Sequence, residues 1–82
     1  MNPELFELHV IAGRKAGRER TCGTKIHYPS EESAERAAAS MNEKPTTRKP
    51  LEAYPCAFCL EWHIGRRMSL EELRSYVDSD PK

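Results

Sequence analysis

Three cysteines and one histidine constrain this chain more than any other feature of its sequence. Cys56 and Cys59 are separated by two residues, His63 follows in the same stretch, and Cys22 lies far upstream. Two thiolates in a tight turn can bind one ion while backbone amides stabilise the sulfurs, and a closed zinc site takes all four ligands from the protein. The spacing therefore predicts one structural Zn²⁺ held by Cys22, Cys56, Cys59 and His63.

Such a site would supply stability that the composition lacks. With 82 residues, 38% of them hydrophobic and 32% charged, the chain forms one domain, 1–82. At this size an apolar core alone is barely sufficient. A structural zinc ion contributes roughly 10 kcal/mol or more to folding. We therefore expect a small zinc-stapled domain of the α+β class.

The sequence has no apolar run of membrane-spanning length and no signal-peptide segment after Met1. We therefore expect a cytoplasmic protein without a membrane partner, in which thiols stay reduced. An odd number of cysteines also argues against a closed disulfide framework.

Other interpretations of the cysteines are weaker. As small buried hydrophobes they would need no partner, whereas a thioredoxin-like redox pair at Cys56 and Cys59 would leave Cys22 and His63 without a role. A catalytic zinc would keep an open position beside a general base, but the sequence offers four ligands and no further acid/base cluster. We therefore expect no enzymatic activity. His27 and His9 remain alternatives to His63 as the fourth ligand.

The residue pattern predicts two capped helices. One follows Ser30, carries Glu31 and Glu32 in its first turn and ends near residues 42–43, with alanines on one face. The other spans 69–78 and begins with a capping box of Ser69 and Glu72.

Strands are predicted from alternating apolar and polar residues. This pattern favours an N-terminal strand over 5–12, although Asn2 as a cap and Pro3 at the first helical position would suit a helix. A basic loop over 13–21 follows, then a short strand over 25–28. Strands over 51–54 and 60–65 flank the Cys56/Cys59 turn. In the last of these, Leu60, Trp62 and Ile64 would face the core, and Glu61 and His63 the opposite side.

The region 22–65 resembles a known group of proteins. Its elements are one cysteine, a capped alanine-rich helix, and then a tyrosine, Cys-x-x-Cys and Trp-His; the matching residues are Cys22, Lys25, Tyr28, Tyr54, Cys56, Cys59, Trp62 and His63. This pattern resembles the small zinc-finger-like proteins of actinobacteria and their bacteriophages. The resemblance implies a metal-binding core without catalysis. Leu60 departs from it, since glycine often follows the second cysteine.

Basic residues outside the metal ligands suggest a partner. They are Arg14, Lys15, Arg18, Arg20, Lys25, Arg66 and Arg67, within a chain whose 13 basic and 13 acidic residues give no net charge. We expect them to bind nucleic acid through phosphate contacts. The alternative is a protein-interaction module, such as a small phage or host factor docking on a larger protein machine. A small nuclease using His63 or His27 is a third possibility, and we expect no small-molecule substrate.

Overall fold

A computed structural model describes residues 1–23, 25–46 and 50–79 of the chain. The described part contains four helices and one two-stranded sheet: α1 (Pro3–Ala16), α2 (Arg18–Thr21), α3 (Glu31–Asn42), β1 (Leu51–Pro55), β2 (Trp62–Arg66) and α4 (Leu70–Asp78). The predicted α+β class is confirmed.

The N-terminal segment is a helix, so the predicted strand over 5–12 is wrong. Asn2 caps α1 by accepting a hydrogen bond from the Glu4 N–H at 2.7 Å, and Pro3 occupies the first helical position. The buried side of α1 contains His9 and Gly13, a polar residue and a glycine, while Phe6 and Ile11 are exposed. The positions of the apolar residues therefore did not show the period of about 3.6 residues that is typical of an amphipathic helix.

The predicted basic loop over 13–21 is also helical. Residues 13–16 belong to α1, residues 18–21 form α2, and Gly17 separates the two with a φ of 96°, a conformation that favours glycine. The strand predicted over 25–28 is reduced to a single antiparallel bridge between Tyr28 and Trp62.

Strands β1 and β2 form the antiparallel hairpin that the sequence predicted around the cysteine turn. Ala53 lies opposite Ile64, and Tyr54 lies opposite His63. β2 begins two residues later than predicted, because Leu60 adopts a left-handed conformation with a φ of 62° that interrupts extended backbone. Helix α3 packs on the hairpin and buries Ala34 and Ala38, as its alanine face predicted.

Helix α4 packs against α1 and closes the other side of the molecule. Its capping box is present, since Ser69 Oγ accepts from the Glu72 N–H and Glu72 accepts from the Ser69 N–H. Leu73 is fully buried. Lys15 of α1 donates to the Tyr76 and Ser79 carbonyls at the carboxyl end of α4, and so neutralises that end of its dipole.

Candidate metal centre

The four residues predicted as metal ligands converge on one point. One ligand atom from each of Cys22, Cys56, Cys59 and His63 lies within 4.8 Å of all the others. A tetrahedron with Zn–S bonds of 2.3 Å has ligand atoms about 3.8 Å apart. The cluster is thus close to the size of a metal coordination sphere and forms a candidate Cys3His site.

Cys22 is positioned by the turn that ends α2. Its backbone N–H donates to the Arg18 carbonyl at 2.7 Å. Gly23 follows with a φ of 34°, and a Cβ there would lie 2.3 Å from the Glu19 carbonyl oxygen. The Tyr54 hydroxyl donates to the Thr21 carbonyl at 2.6 Å and ties this turn to β1. The hairpin thus anchors the segment carrying the remote ligand.

Cys56 and Cys59 lie at the two ends of the turn between β1 and β2. The Cys56 N–H donates to the Glu61 carbonyl at 2.8 Å, and the Phe58 N–H points at the Cys56 sulfur at 3.4 Å. An amide aimed at the sulfur stabilises a thiolate, which is the form that binds metal. This turn supplies the arrangement that the Cys-x-x-Cys spacing predicted.

His63 is fully buried, and its ring is fixed on both sides. Nδ1 lies 2.7 Å from the Ile26 carbonyl oxygen, and Nε2 lies 3.4 Å from the Cys59 sulfur. Because a carbonyl only accepts hydrogen bonds, Nδ1 carries the proton and Nε2 keeps its lone pair directed at the cluster. Metal-binding histidines are commonly oriented in this way.

The other two histidines are not members of the Cys3His cluster. His9 faces Glu52, with Nε2 3.6 Å from the carboxylate, and stacks on Tyr54. His27 is exposed and belongs to a different group, with Cys59 and Glu61. The Cys3His cluster therefore contains His63 and neither alternative.

The thiols of the cluster have unequal acidities. Burial, together with the neighbouring Cys56 and Cys59 sulfurs, raises the pKa of Cys22 to about 11. Burial also opposes ionisation of Cys56, but the backbone N–H groups of Cys59 and Phe58 outweigh it and lower the pKa of the Cys56 thiol. The Cys56 thiolate therefore forms more readily than that of Cys22.

The predicted facing of residues 60–65 is only partly right. Leu60 is 85% exposed rather than in the core, and Trp62 and Ile64 are half-buried. His63, on the opposite side, is fully buried. His63 is buried because helices pack on the hairpin. Helix α3 packs on both strands, and α1 packs on β1, where His9 stacks on Tyr54. The Tyr54 ring in turn lies 5.7 Å from the His63 ring.

Three of the predicted nucleic-acid-binding cations meet at one cleft of about 380 Å³. Arg20 lies in α2, Lys25 follows the Cys22 turn, and Arg66 ends β2; all three line the cleft together with Tyr54 and Tyr76.

The remaining four cations lie elsewhere. Lys15 binds the end of α4, and Arg18 lies over the Phe58 ring at 5.9 Å from its centroid. Arg14 is exposed, and Arg67 lines a separate cavity beside α3. The structure thus divides the predicted set into three residues at one cleft and four others.

Sequence reasoning missed two groups that position the candidate ligands. The Ile26 carbonyl could not be recognised from the sequence, because every residue has a backbone carbonyl. The Tyr54 hydroxyl was equally hidden, since only the fold shows that it reaches the Thr21 carbonyl.

Comparisons of the chain with protein-family models, curated proteins and solved structures yield no match. The resemblance to small zinc-finger-like proteins therefore stays a prediction. Among the residues that the structure describes, no helix has the length and apolarity needed to cross a membrane.

Proposed function

We propose that this chain is a non-enzymatic module that folds around one structural Zn²⁺ and binds nucleic acid. The observation that carries the nucleic-acid part is the meeting of Arg20, Lys25 and Arg66 at one cleft, although they come from separate segments. The candidate Cys3His site holds those segments together.

The donor set favours zinc. Soft thiolates with one imidazole suit Zn²⁺, whereas Mg²⁺ and Ca²⁺ require oxygen ligands. Four protein ligands fill a tetrahedral sphere and leave no position for a reacting water, as in structural sites. Cys22, Cys56, Cys59 and His63 would hold the ion, and the ion would link the α2 turn to the hairpin.

The cleft suits a short single-stranded segment. Arg20 and Lys25 are exposed and available to phosphates. Arg66 pairs with Glu72 at 3.3 Å on the surface, and because exposed pairs are weak, a phosphate can replace the carboxylate. Tyr76 also lines the cleft; the Lys15 ammonium lies over its ring, 5.0 Å from the centroid, and we expect a base to stack on the opposite face. At about 380 Å³ the cleft has the size of a small-molecule site, so we expect it to take a single nucleotide at a time rather than a duplex.

Fluorescence anisotropy with labelled single-stranded DNA and RNA pools, over a range of salt concentrations, tests this proposal. We expect the triple variant Arg20→Ala, Lys25→Ala, Arg66→Ala to lose at least about tenfold in affinity. The slope of the logarithm of the binding constant against the logarithm of the salt concentration should become shallower by about 2, because three phosphate contacts are lost.

The matched control removes three cations outside the cleft, as Arg14→Ala, Arg36→Ala and Arg67→Ala. Its net charge equals that of the cleft variant, so a general charge effect would weaken both alike. Equal losses in the two variants, or salt-insensitive binding of the wild-type chain, would contradict the proposal.

A further inference from the structure

We propose a second metal site on the surface, formed by His27, Glu61 and the shared sulfur of Cys59. It takes a divalent ion such as Zn²⁺ more weakly than the Cys3His site does. This inference rests on the proposed zinc site, because Cys59 must already be held there as a thiolate.

The three residues lie close enough to share an ion. One ligand atom from each lies within 4.8 Å of the other two. His27 Nδ1 is 3.6 Å from the Glu61 carboxylate, and both side chains are just under half exposed. The His27 ring also stands 4.9 Å from the His63 ring, edge to face. Two imidazoles thus lie near Cys59, one in the closed site and one at the surface.

The backbone fixes this arrangement. Tyr28 and Trp62 exchange both backbone hydrogen bonds, at 2.8 and 2.9 Å. In this antiparallel register the preceding residue, His27, lies opposite His63, and Glu61 comes directly before β2, two residues before His63. The Glu61 carbonyl is itself held by the Cys56 N–H. The bridge that replaces the predicted strand therefore builds the second site.

The chemistry of the three donors is complementary. A thiolate bound to one metal ion keeps lone pairs that can bind a second. Cys59 is also the least buried of the three cysteines, since Cys22 and Cys56 are both buried. Imidazole and carboxylate are common zinc ligands, and water would complete the coordination. With two surface side chains and a shared sulfur, this site is open where the first is closed.

Titration of the metal-free full chain with Zn²⁺, followed by native mass spectrometry and calorimetry, tests the inference. We expect one tightly bound equivalent and, with excess zinc, a second weaker one. His27→Ala and Glu61→Gln should each weaken the second equivalent by at least about tenfold, since even indirect changes at metal sites cost that much. Both variants should keep the first equivalent and the wild-type circular dichroism spectrum.

Glu7→Gln is the matched control. Glu7 is an exposed carboxylate on α1, outside both groups of candidate ligands. This control should bind two equivalents. A second equivalent that persists in His27→Ala and Glu61→Gln, or one that never binds, would overturn the second site alone. A wild-type chain that binds no zinc would overturn the proposed structural site as well.

Discussion

The His63 ring is held on both sides in an orientation that suits metal binding. The Ile26 carbonyl accepts a hydrogen bond from Nδ1–H, and the lone pair of Nε2 therefore faces Cys59. Burial of the whole ring prevents rotation into solvent. The His27 ring lies only 4.9 Å away, measured between ring centroids, but it is exposed, so burial does not prevent its rotation.

Replacement of the two histidines should therefore have unequal effects. We expect His63→Ala to weaken the first zinc equivalent by at least about 100-fold, because a direct ligand is lost. His27→Ala should leave that affinity within about threefold of wild type, because His27 is not a ligand of the first site. This loss is smaller than the tenfold or greater loss that follows a change in an outer-shell partner. Competition with a chromophoric chelator at substoichiometric zinc measures both. A larger loss in His27→Ala would identify His27 as the fourth ligand.

Leu60 carries a local cost at the cysteine turn. Its φ of 62° lies in the left-handed region, and its side chain is 85% exposed. That conformation costs a non-glycine residue about 1–2 kcal/mol, and the exposed side chain returns little by burial. We expect Leu60→Gly to raise the free energy of unfolding by about 0.5–1 kcal/mol, after the entropy that glycine loses on folding.

Urea unfolding of the zinc-loaded protein measures this change. Leu60→Ala is the control, because it removes the exposed side chain but keeps the Cβ, and so isolates the backbone effect. If Leu60→Ala stabilised the protein as much as Leu60→Gly, side-chain exposure rather than backbone strain would be the cause.

At the scale of elements, the sequence predicted what is encoded locally. The caps of α3 and α4 lie within a few residues of the helices that they begin, and the hairpin is marked by the cysteine pair. The sequence favoured a strand in place of α1 because the buried side of this helix contains His9 and Gly13. A search for regularly spaced apolar residues does not count either of them. The cleft could not be predicted either, since Arg20, Lys25 and Arg66 meet only through tertiary packing.

The contact of Lys15 with α4 gives one predicted DNA- or RNA-binding cation a structural role instead. Its ammonium donates to the Tyr76 carbonyl and to Ser79 Oγ, the latter at 2.7 Å. We expect Lys15→Ala to lower the free energy of unfolding by about 1–2 kcal/mol, through loss of charged hydrogen bonds at a helix end.

Arg14→Ala is the natural comparison for Lys15→Ala, because Arg14 is the exposed neighbour on α1. It should change stability by no more than about 0.5 kcal/mol. Thermal unfolding of the two variants compares them directly. Equal destabilisation would show that the effect is one of helix charge and not of the contact with α4.

At the scale of the whole molecule, the candidate metal centre lies where the N-terminal helices meet the hairpin. Cys22 ends the helical N-terminal region, and Cys56, Cys59 and His63 belong to the hairpin. The buried apolar residues in the described part of the chain are mostly small, and Leu73 is the one large member. Roughly 10 kcal/mol from a structural zinc is then comparable to the whole stability of a typical domain.

In the proposed function, one structural zinc at Cys22, Cys56, Cys59 and His63 holds the fold together. Native mass spectrometry of the purified full chain before and after chelation, with circular dichroism on the same samples, tests it most directly. We predict one zinc per chain, lost on chelation and in Cys22→Ser, Cys56→Ser and Cys59→Ser, with loss of cooperative unfolding each time. A metal-free chain that keeps the wild-type spectrum and unfolding midpoint would contradict the claim.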